Sequence, residues 1–288
     1  MREKVAAGGL YHAQGRSPAD EHVHSEFSWD TGPHASMRAA CAHAVELGIP
    51  AVSFTEHVDF IAWALDDHPL VEGRRPRAPR HYQPVDVPAY LDSIERCRDE
   101  FPSLRVRAGI ETGEPHLFAG SVAAVLAQGP FERVLGSLHS VIRDDELVGV
   151  NRVLKVEDPH LVMREYFAEL LGMIQGSSVF DVLAHCDYPR RHWPRSAGPY
   201  SEHVFEQDYR AVFAALAASG RALEINTRSP LASVDLVRWW YEEGGRAVSF
   251  GSDAHVPWAV GQRFDLAVEV VTAAGFRPGR DRWDFYRV

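Results

Sequence analysis

Short apolar runs alternate with longer amphipathic segments along most of the chain. The runs are rich in Val, Ile, Leu and Phe, and the segments between them repeat apolar residues with the period of a helix. This alternation predicts βα units and therefore a parallel sheet. We place the strands near residues 20–24, 51–57, 105–112, 132–140, 179–187, 222–227 and 247–255. The helices are predicted near residues 34–48, 88–101, 115–128, 158–175, 201–219, 231–244 and 259–274.

Local signals mark several helix ends. Asp158-Pro159 offers a capping carboxylate followed by proline at the first helical position, and Glu114-Pro115 is interpreted in the same way. Gly48 and Gly220 stand where a helix-terminating glycine is expected. Residues 62–87 show no period and are rich in proline and arginine, so we predict a long loop there.

Almost every apolar run ends on histidines and carboxylates. In order, the endings are Asp20-Glu-His22-Val-His24, Glu56-His57, Glu111, His139, His185-Cys-Asp187, Glu224-Ile-Asn226 and Asp253-Ala-His255. In parallel α/β barrels the chemistry lies at the carboxyl ends of the strands, because the loops leave the sheet there. The recurrence therefore predicts a barrel with metal ligands around its rim, the edge formed by those carboxyl ends.

Length and composition favour a single cytoplasmic domain. With 288 residues and 45% hydrophobic content, the chain can bury one large core, and we predict one domain over residues 1–288. Its three cysteines lack disulfide or metal-finger spacing, which suits a reducing compartment. No apolar run approaches the roughly 20 residues of a membrane span, and residues 5–10 are too short for a signal-peptide core.

The net charge of −10 argues against a general affinity for nucleic acid, which requires a basic face. It does not argue against an anionic substrate, because divalent cations can reverse the local field in a pocket. The sequence thus favours a small-molecule substrate with no nucleic-acid or membrane partner, and it leaves the oligomeric state open.

The first strand carries the most specific element. His22 and His24 lie two residues apart, so they share one face of a strand, where two imidazoles can chelate one ion. An isolated His-x-His is more often merely exposed at a strand end. Because the same spacing recurs in Asp253-Ala-His255, we favour metal binding.

The middle strands offer further donors. Adjacent Glu56 and His57 face opposite ways in a regular strand, and we choose His57 for the pocket. Glu111 stands between glycines that allow close approach, and it suits a ligand that bridges two cations better than a buried unpaired glutamate. Taken singly, His139 and His185 would be interpreted as core histidines, but their matching positions on the rim favour both as ligands.

All these donors offer nitrogen or oxygen, which excludes a structural thiolate site and fits zinc, manganese or iron(II). One ion needs fewer donors than are available, so we predict two or three divalent ions, an arrangement that supports phosphoryl transfer. The remaining histidines of predicted loops and helices are interpreted as surface residues: His12, His34, His43, His68, His116, His160 and His203.

The ordered motifs resemble the PHP (polymerase and histidinol phosphatase) superfamily. The similarity runs from Asp20 to Arg263 and rests on Asp-x-His-x-His, Glu-His, Gly-Ile-Glu, Ser-x-His, His-x-Asp and Ser-Asp-x-His in that order. It implies an α/β fold, a distorted (β/α)7 TIM-like barrel with a trinuclear metal site. Two features depart from the pattern: Glu56-His57 replaces the more frequent Asp-His, and residues 61–87 have no counterpart.

The resemblance also implies three groups of ligands. The first ion would be held by His22, His24, Glu111 and Asp253, the second by Glu111, His139 and His185, and the third by His57, His255 and Asp30. Gly-Ile-Glu and Leu-Glu-Ile-Asn-Thr are most similar to the histidinol-phosphatase branch. That similarity implies hydrolysis of L-histidinol phosphate to L-histidinol and phosphate.

The expected reaction is an in-line attack on phosphorus by a hydroxide held between two ions. Asp253 would orient this nucleophile as well as bind metal. His255 or His57 would hold the third ion near the leaving alkoxide, and metal-bound water or Asp187 would protonate that alkoxide.

Arginines in the rim loops are candidates for binding phosphate, because guanidinium groups make paired contacts with it. Arg190 and Arg191 follow the fifth strand, and we expect one of them to bind substrate; a solvated arginine pair is the alternative. Asn226 and the weaker candidate Arg228 follow the sixth strand.

Other functions fit the sequence less well. A phosphoesterase that acts on nucleotides or phosphodiesters remains the main alternative, but an exonuclease would need a basic track that this acidic chain lacks. Amidohydrolases also begin with His-x-His, but they typically have eight strands and a histidine on the sixth, where this chain reads Ala222-Leu-Glu-Ile-Asn-Thr227. A non-enzymatic binding protein would be expected to lack some of the metal-ligating residues, and none of them is evidently missing.

Overall fold

The computed structural model describes residues 17–60, 84–144 and 146–288. His12, His68 and most of the predicted loop over residues 62–87 lie outside these ranges. The described residues form one curled sheet flanked by helices, together with a small two-stranded sheet. Within those ranges, no helix has the length and apolar character needed to cross a membrane.

Ten strands and eight α-helices occur in the described residues. The strands are β1 (Asp20–Val23), β2 (Ala51–Val58), β3 (Arg105–Gly113), β4 (Arg133–Ser137), β5 (Ser140–Arg143), β6 (Glu146–Gly149), β7 (Val182–Leu183), β8 (Ala222–Asn226), β9 (Ala247–Gly251) and β10 (Tyr286–Arg287). The helices are α1 (Met37–Glu46), α2 (Val87–Glu100), α3 (Ala119–Leu126), α4 (Val150–Val153), α5 (Pro159–Gly176), α6 (Glu206–Ala218), α7 (Val234–Glu242) and α8 (Phe264–Ala273).

The main sheet has the order β1-β2-β3-β4-β7-β8-β9-β10, and its first seven strands are parallel. It curls until β1 meets the residues that follow β9: the His24 amide donates to the Ala254 carbonyl (2.8 Å), and the Asp253 amide donates to the His22 carbonyl (2.8 Å). β10 pairs antiparallel with the start of β9. The predicted distorted barrel of seven βα units is confirmed.

Strand register brings the rim residues to one level. His57 pairs with Glu111 across β2 and β3, and Asn226 pairs with Gly251 across β8 and β9. Because the strands are parallel, their carboxyl ends meet at the same edge of the barrel. The donors predicted from separate apolar runs therefore converge.

Several strands end earlier than the sequence predicts. β4 ends at Ser137 and is followed by the hairpin β5–β6, which the sequence analysis did not predict. β9 ends at Gly251, and Asp253 has a left-handed backbone with φ of 50° that breaks the extended conformation. His185 likewise lies just beyond the two-residue strand β7. These side chains therefore project from loops rather than from regular strands.

The helix signals were correct in part. Asp158 caps α5 with its carboxylate, which accepts backbone N–H groups of the first turn. Gly48 and Gly220 adopt φ of 69° and 75°, as expected of glycines that follow helices.

The predicted helix start at Glu114-Pro115 is wrong. α3 begins only at Ala119, and Glu114 has a φ of 45°. Its buried carboxylate accepts the backbone N–H groups of His139 and Ser140, both at 2.8 Å. Glu114 thus satisfies the amides of a rim loop instead of those of a helix.

The pairing of β1 with β2 shifts register between Asp20 and Val23, which changes the alternation of side chains in β1. Glu21 thereby joins a polar cluster on the side of the barrel opposite the rim, where it accepts hydrogen bonds from Ser53 (2.9 Å), Arg133 (2.7 Å) and Arg107. Burial alone would raise the pKa of Glu21, but the charges of Arg133 and Arg107 hold it below its usual value. This cluster closes the barrel with paired charges.

Helices cover the outside of the sheet around two apolar clusters. The larger cluster includes residues of α3, α5, α6, α7 and α8, and the smaller one includes residues of α1 and α2. Tyr90 of α2 links helix to sheet, because its hydroxyl donates to the Phe54 carbonyl (2.8 Å) and accepts from the Gly109 amide (2.8 Å). The core therefore fixes the strands whose ends carry the donors.

Candidate metal centre

Nine side chains predicted as ligands meet at the rim. This ligand cluster consists of His22, His24, Asp30, His57, Glu111, His139, His185, Asp253 and His255. Most of its members are buried, and Asp30 is the most exposed, with 27% of its side chain accessible. The structure thus places every proposed metal ligand in one site.

Glu111 lies at the centre of the ligand cluster, and its side chain is 1% exposed. Its carboxylate oxygens contact five imidazoles. Oε2 lies 3.1 Å from His22 Nε2, 3.2 Å from His24 Nε2 and 3.3 Å from His57 Nδ1, while Oε1 lies 2.7 Å from His185 Nε2 and 3.4 Å from His139 Nε2. A carboxylate with separate sets of imidazoles at its two oxygens is suited to bridge neighbouring cations.

Asp30 and Asp253 extend the cluster on the side of His255. His255 Nε2 lies 2.9 Å from Asp30 Oδ2, and His57 Nε2 lies 3.5 Å from the same oxygen. Asp253 Oδ1 lies 3.7 Å from His24 Nε2 and 3.5 Å from His255 Nδ1. Both aspartates therefore offer oxygens to the same space as the imidazoles.

The donors fall into five overlapping groups of three whose ligand atoms lie within 4.8 Å of one another. The groups are His24–His57–His255, His22–His24–Glu111, His22–His185–Asp253, His57–Asp59–His139 and Glu111–His139–His185. Shared members mean that the groups are adjacent rather than separate sites. The arrangement is suited to a cluster of ions.

The charged side chains of the ligand cluster shift one another's pKa values. Burial would raise the pKa of Glu111, but His22 and His57 hold it well below its usual range, so the carboxylate is ionised. Burial, with His57 and His255 nearby, lowers the pKa of His24, whereas burial of His57 is outweighed by Asp30, Glu111 and Asp59, which raise its pKa to about 9. Metal ions that bind here would displace protons from imidazoles whose pKa is raised, such as that of His57.

The His-x-His pair tests whether the residues fit a metal. His22 Nε2 and His24 Nε2 lie 3.0 Å apart, deep in the barrel. Two imidazole nitrogens that each bind zinc at about 2.0–2.1 Å can have this separation around one ion. Since His22 Nδ1 already contacts Glu224 (2.6 Å) and His24 Nδ1 contacts Ser28 (3.0 Å), the Nε2 atoms remain for that ion. The donor set fits divalent metal.

Asp59 is a candidate ligand that the sequence analysis missed. Its Oδ1 lies 3.3 Å from His139 Nδ1, and its Oδ2 lies 3.3 Å from His57 Nδ1 and accepts the Trp29 indole N–H (3.0 Å). The signal was present, because His57-Val-Asp59 repeats the two-residue spacing of the other strand-end pairs.

Glu224, which the sequence placed at a strand end without a role, is a second residue that supports the site. It is a charged residue within the apolar strand β8, and it contacts His22 Nδ1 at 2.6 Å. Glu56, whose role the sequence left open, lies away from the ligand cluster and accepts the hydroxyls of Ser25 and Ser28, each at 2.6 Å. His57 is therefore the member of its pair that faces the site.

The rim arginines differ in their contacts. Arg191 Nη2 lies 2.6 Å from Asp253 Oδ2 and donates to Asn226 Oδ1 (2.9 Å). Arg228 Nη1 donates to Asp253 Oδ1 (3.0 Å) and lies 2.9 Å from His255 Nδ1. Both guanidinium groups thus border the ligand cluster, together with Asn226.

Arg190 points elsewhere. Its Nη1 donates to Asp187 Oδ2 (3.3 Å) and to Glu202 Oε1 (2.6 Å). Two carboxylates therefore neutralise this guanidinium. Asp187 is buried with Arg190, and none of its described hydrogen bonds or ion pairs reaches the ligand cluster.

The other histidines within the described ranges belong to none of the donor groups. Most are exposed, whereas His116 is largely buried and pairs with Glu169 (2.8 Å). The interpretation as surface histidines thus needs correction at His116, which packs against α5 through a carboxylate partner.

Comparison with known proteins places this barrel among related sequences. A family model described as the PHP domain matches residues 20–228. A histidinol-phosphatase from Lactococcus lactis subsp. lactis (strain IL1403) is 27% identical over 271 residues, which cover 89% of this chain and 91% of that protein. A probable histidinol-phosphatase from Deinococcus radiodurans is 28% identical over 275 residues, which cover 90% and 94%.

A solved structure has the same fold. The crystal structure of histidinol phosphate phosphatase from Lactococcus lactis, complexed with zinc, L-histidinol and phosphate, matches with a TM-score of 0.76 and 24% identity, covering 91% of this chain and 95% of that chain. The family match spans β1 to the end of β8, the part of the barrel that carries most of the ligand cluster. The chain belongs to the PHP domain family.

Proposed function

We propose that the chain is a metal-dependent phosphomonoesterase that hydrolyses L-histidinol phosphate to L-histidinol and phosphate. The observation that carries this proposal is the Glu111 carboxylate surrounded by five imidazoles, with Arg191 and Arg228 on the adjacent Asp253. The names of the relatives, which match about nine tenths of the chain, support the same substrate.

The ligand cluster would hold two or three divalent ions, with zinc, manganese and iron(II) as candidates. The zinc in the related crystal structure supports zinc. Glu111 would bridge ions, His22, His24 and Asp253 would complete one site, and the remaining histidines with Asp30 or Asp59 would complete the others. Bound divalent ions would supply a hydroxide nucleophile near neutral pH and draw charge from the phosphoryl oxygens.

The protein's own cations would orient the phosphate. Arg191 is 13% exposed and held by Asp253 and Asn226, so its guanidinium is fixed before substrate binds. Arg228 is 44% exposed and can move to meet the phosphate from the solvent side. A fixed guanidinium loses little freedom when it forms paired hydrogen bonds with phosphate oxygens.

Asp253 would orient the nucleophile, and His255 would act beside the leaving oxygen. Asp187 is the proposed proton donor to the leaving alkoxide. Burial raises the pKa of Asp187 although the Arg190 charge lowers it, and a raised pKa favours the protonated acid that donation requires. Asp187 pairs with Arg190 rather than with a member of the ligand cluster, so it would have to reach the leaving alkoxide through water or a side-chain movement.

We further propose that residues 1–288 form one domain and act in the cytoplasm. The three cysteines are free and buried, as suits a reducing compartment. The expected partner is a small phosphate ester, and the acidic chain offers no reason to expect nucleic acid.

A substrate panel tests the function. Purified protein reconstituted with zinc or manganese would be assayed with histidinol phosphate, sugar phosphates, nucleotides and an oligonucleotide. We expect the highest kcat/KM for histidinol phosphate. A preference for a 5′-nucleotide or the oligonucleotide would assign the chain to another phosphoesterase branch of the family.

A chelated sample provides the control for metal dependence. Complete removal of metal is expected to abolish hydrolysis, and addition of zinc or manganese is expected to restore it. Full activity in a preparation shown by elemental analysis to be metal-free would contradict the proposed chemistry.

A further inference from the structure

Glu224 contacts the second ring nitrogen of His22. Glu224 Oε1 lies 2.6 Å from His22 Nδ1, and both side chains are at most 1% exposed. An ionised carboxylate has no proton to donate, so the proton in this contact belongs to His22 Nδ1. Nε2, which lies 3.1 Å from Glu111 Oε2, is then the ring nitrogen left for a metal ion in the ligand cluster, and an ion that binds there displaces any proton it carries.

Ser28 plays the equivalent part for His24. The Ser28 hydroxyl donates its single proton to Glu56 Oε2 (2.6 Å), so it can only accept from His24 Nδ1 (3.0 Å). Glu56 is itself fixed, because it also accepts the Ser25 hydroxyl (2.6 Å). His24 therefore carries its proton on Nδ1, and its Nε2 presents a lone pair.

The orientation of Glu224 is determined by its other oxygen. Glu224 Oε2 accepts the His185 backbone N–H (2.6 Å) and the Asn226 side-chain N–H (3.2 Å). Oε1 occupies space that only a glycine at position 251 leaves open, because a Cβ there would lie 2.0 Å from Oε1. The carboxylate therefore cannot rotate away from His22 at low cost.

We propose that Glu224 and Glu56 are positioning residues that fix His22 and His24 as tautomers protonated on Nδ1, Glu56 acting through Ser28. The proposal rests on the proposed metal centre. With these tautomers, the two Nε2 lone pairs, 3.0 Å apart, converge on one ion. The opposite tautomer of either ring would place a proton where the metal binds.

Glu224→Gln is the sharpest variant, because glutamine has nearly the shape of glutamate. The His185 backbone N–H and the Asn226 side-chain N–H, which donate to Glu224 Oε2, require an acceptor and therefore keep the glutamine oxygen at that position. The glutamine NH2 group then faces His22 Nδ1. His22 must then accept at Nδ1 and carry its proton on Nε2. We expect zinc affinity, measured by competition with a chelator, to fall about 10- to 100-fold.

Glu169→Gln is the matched control. Glu169 makes a similar contact with an imidazole, His116 (2.8 Å), away from the ligand cluster. This variant is expected to retain wild-type zinc affinity. Ser28→Ala removes the acceptor for His24 Nδ1 and is expected to weaken zinc binding about tenfold. Unfolding of each metal-free variant, followed by circular dichroism, verifies that the fold is retained.

Nitrogen-15 spectra of histidine-labelled, zinc-loaded protein give a readout that does not depend on activity. We expect His22 and His24 to carry protons on Nδ1, with assignments from single histidine substitutions. A proton on Nε2 of either ring, or wild-type zinc affinity in folded Glu224→Gln, would overturn the positioning role and leave the phosphatase proposal intact. A wild-type protein that takes up no zinc, manganese or iron(II) would instead overturn the proposed metal centre.

Discussion

At the residue scale, one buried carboxylate organises the rim. Burial of a charged group is costly unless partners compensate, and Glu111 has five imidazole partners within 3.4 Å. The charges of His22 and His57, with hydrogen bonds from His139 and His185, hold the pKa of Glu111 well below its usual range in spite of burial. The ionised carboxylate is therefore available as a bridge between cations.

The two adjacent arginines are expected to respond differently to removal. Arg191→Ala should lower kcat/KM for histidinol phosphate by roughly ten- to a thousandfold with metal content unchanged, because Arg191 borders the ligand cluster. Arg190→Ala should affect stability more than turnover, since it leaves Asp187 and Glu202 without their cation. Steady-state kinetics that show wild-type values for Arg191→Ala, or the larger loss for Arg190→Ala, would contradict this assignment.

At the element scale, the sequence predicts the strands better than their ends. Most strands of the barrel contain short groups of apolar residues, so the hydrophobic pattern locates them, whereas β1 reads Asp-Glu-His-Val and is located by its His-x-His motif. The hairpin β5–β6 escaped prediction because its two strands have only four residues each and follow β4 almost directly. The two-residue strand β10 escaped prediction because it pairs with the distant strand β9.

The ligand cluster was predictable for a related reason. All its members except Asp30 stand at strand ends or just beyond them, and parallel topology brings those ends together whatever the loop lengths. Asp59 carried a local signal that was overlooked, the two-residue spacing of His57-Val-Asp59. The role of Glu224, in contrast, arises from pairing between strands, because Glu224 meets His22, which lies 202 positions away in the chain. No local pattern reveals such a contact.

Gly251 offers a test of how closely β9 must approach β1. A Cβ at this position would lie 2.0 Å from Glu224 Oε1 and 2.7 Å from His22 Cβ. Gly251→Ala is therefore expected to displace Glu224, to reduce zinc affinity at least tenfold and to destabilise the fold by about 1–3 kcal/mol.

Gly172→Ala is the matched control, because Gly172 lies in α5 with no atom within 4 Å of an added Cβ. It is expected to retain zinc affinity and to stabilise the helix by about 0.5–1 kcal/mol. Chelator competition and urea unfolding would measure both effects. Equal zinc affinity in the two alanine variants would contradict the packing argument.

At the scale of the whole molecule, the two ends of the barrel carry different charges for different purposes. The rim contains imidazoles and carboxylates that can bind cations, whereas on the opposite side Glu21 is paired with Arg107 and Arg133. The second cluster is complete within the protein. It therefore contributes to stability, and the rim contributes to chemistry, as is usual for α/β barrels.

Glu21→Gln should destabilise the protein by about 3–5 kcal/mol at pH 7, because it leaves buried guanidinium groups without their carboxylate. The pKa of Glu21 is lowered in the folded chain, so its contribution is present above the unfolded pKa of about 4.5 and is lost as pH falls through the folded pKa. The difference in urea stability between variant and wild type should therefore shrink in acid. A difference that stays constant or grows as the pH falls would count against the ion cluster.

The metal content of Glu111→Gln tests the central claim most directly. Wild-type protein, Glu111→Gln and the control Glu169→Gln would be loaded with zinc, dialysed and submitted to elemental analysis. A bridging Glu111 predicts more than one equivalent of metal in the wild type and the control, and a loss of more than one equivalent in Glu111→Gln. One equivalent or less in the wild type, or the loss of a single ion in the variant, would contradict a centre built around this carboxylate.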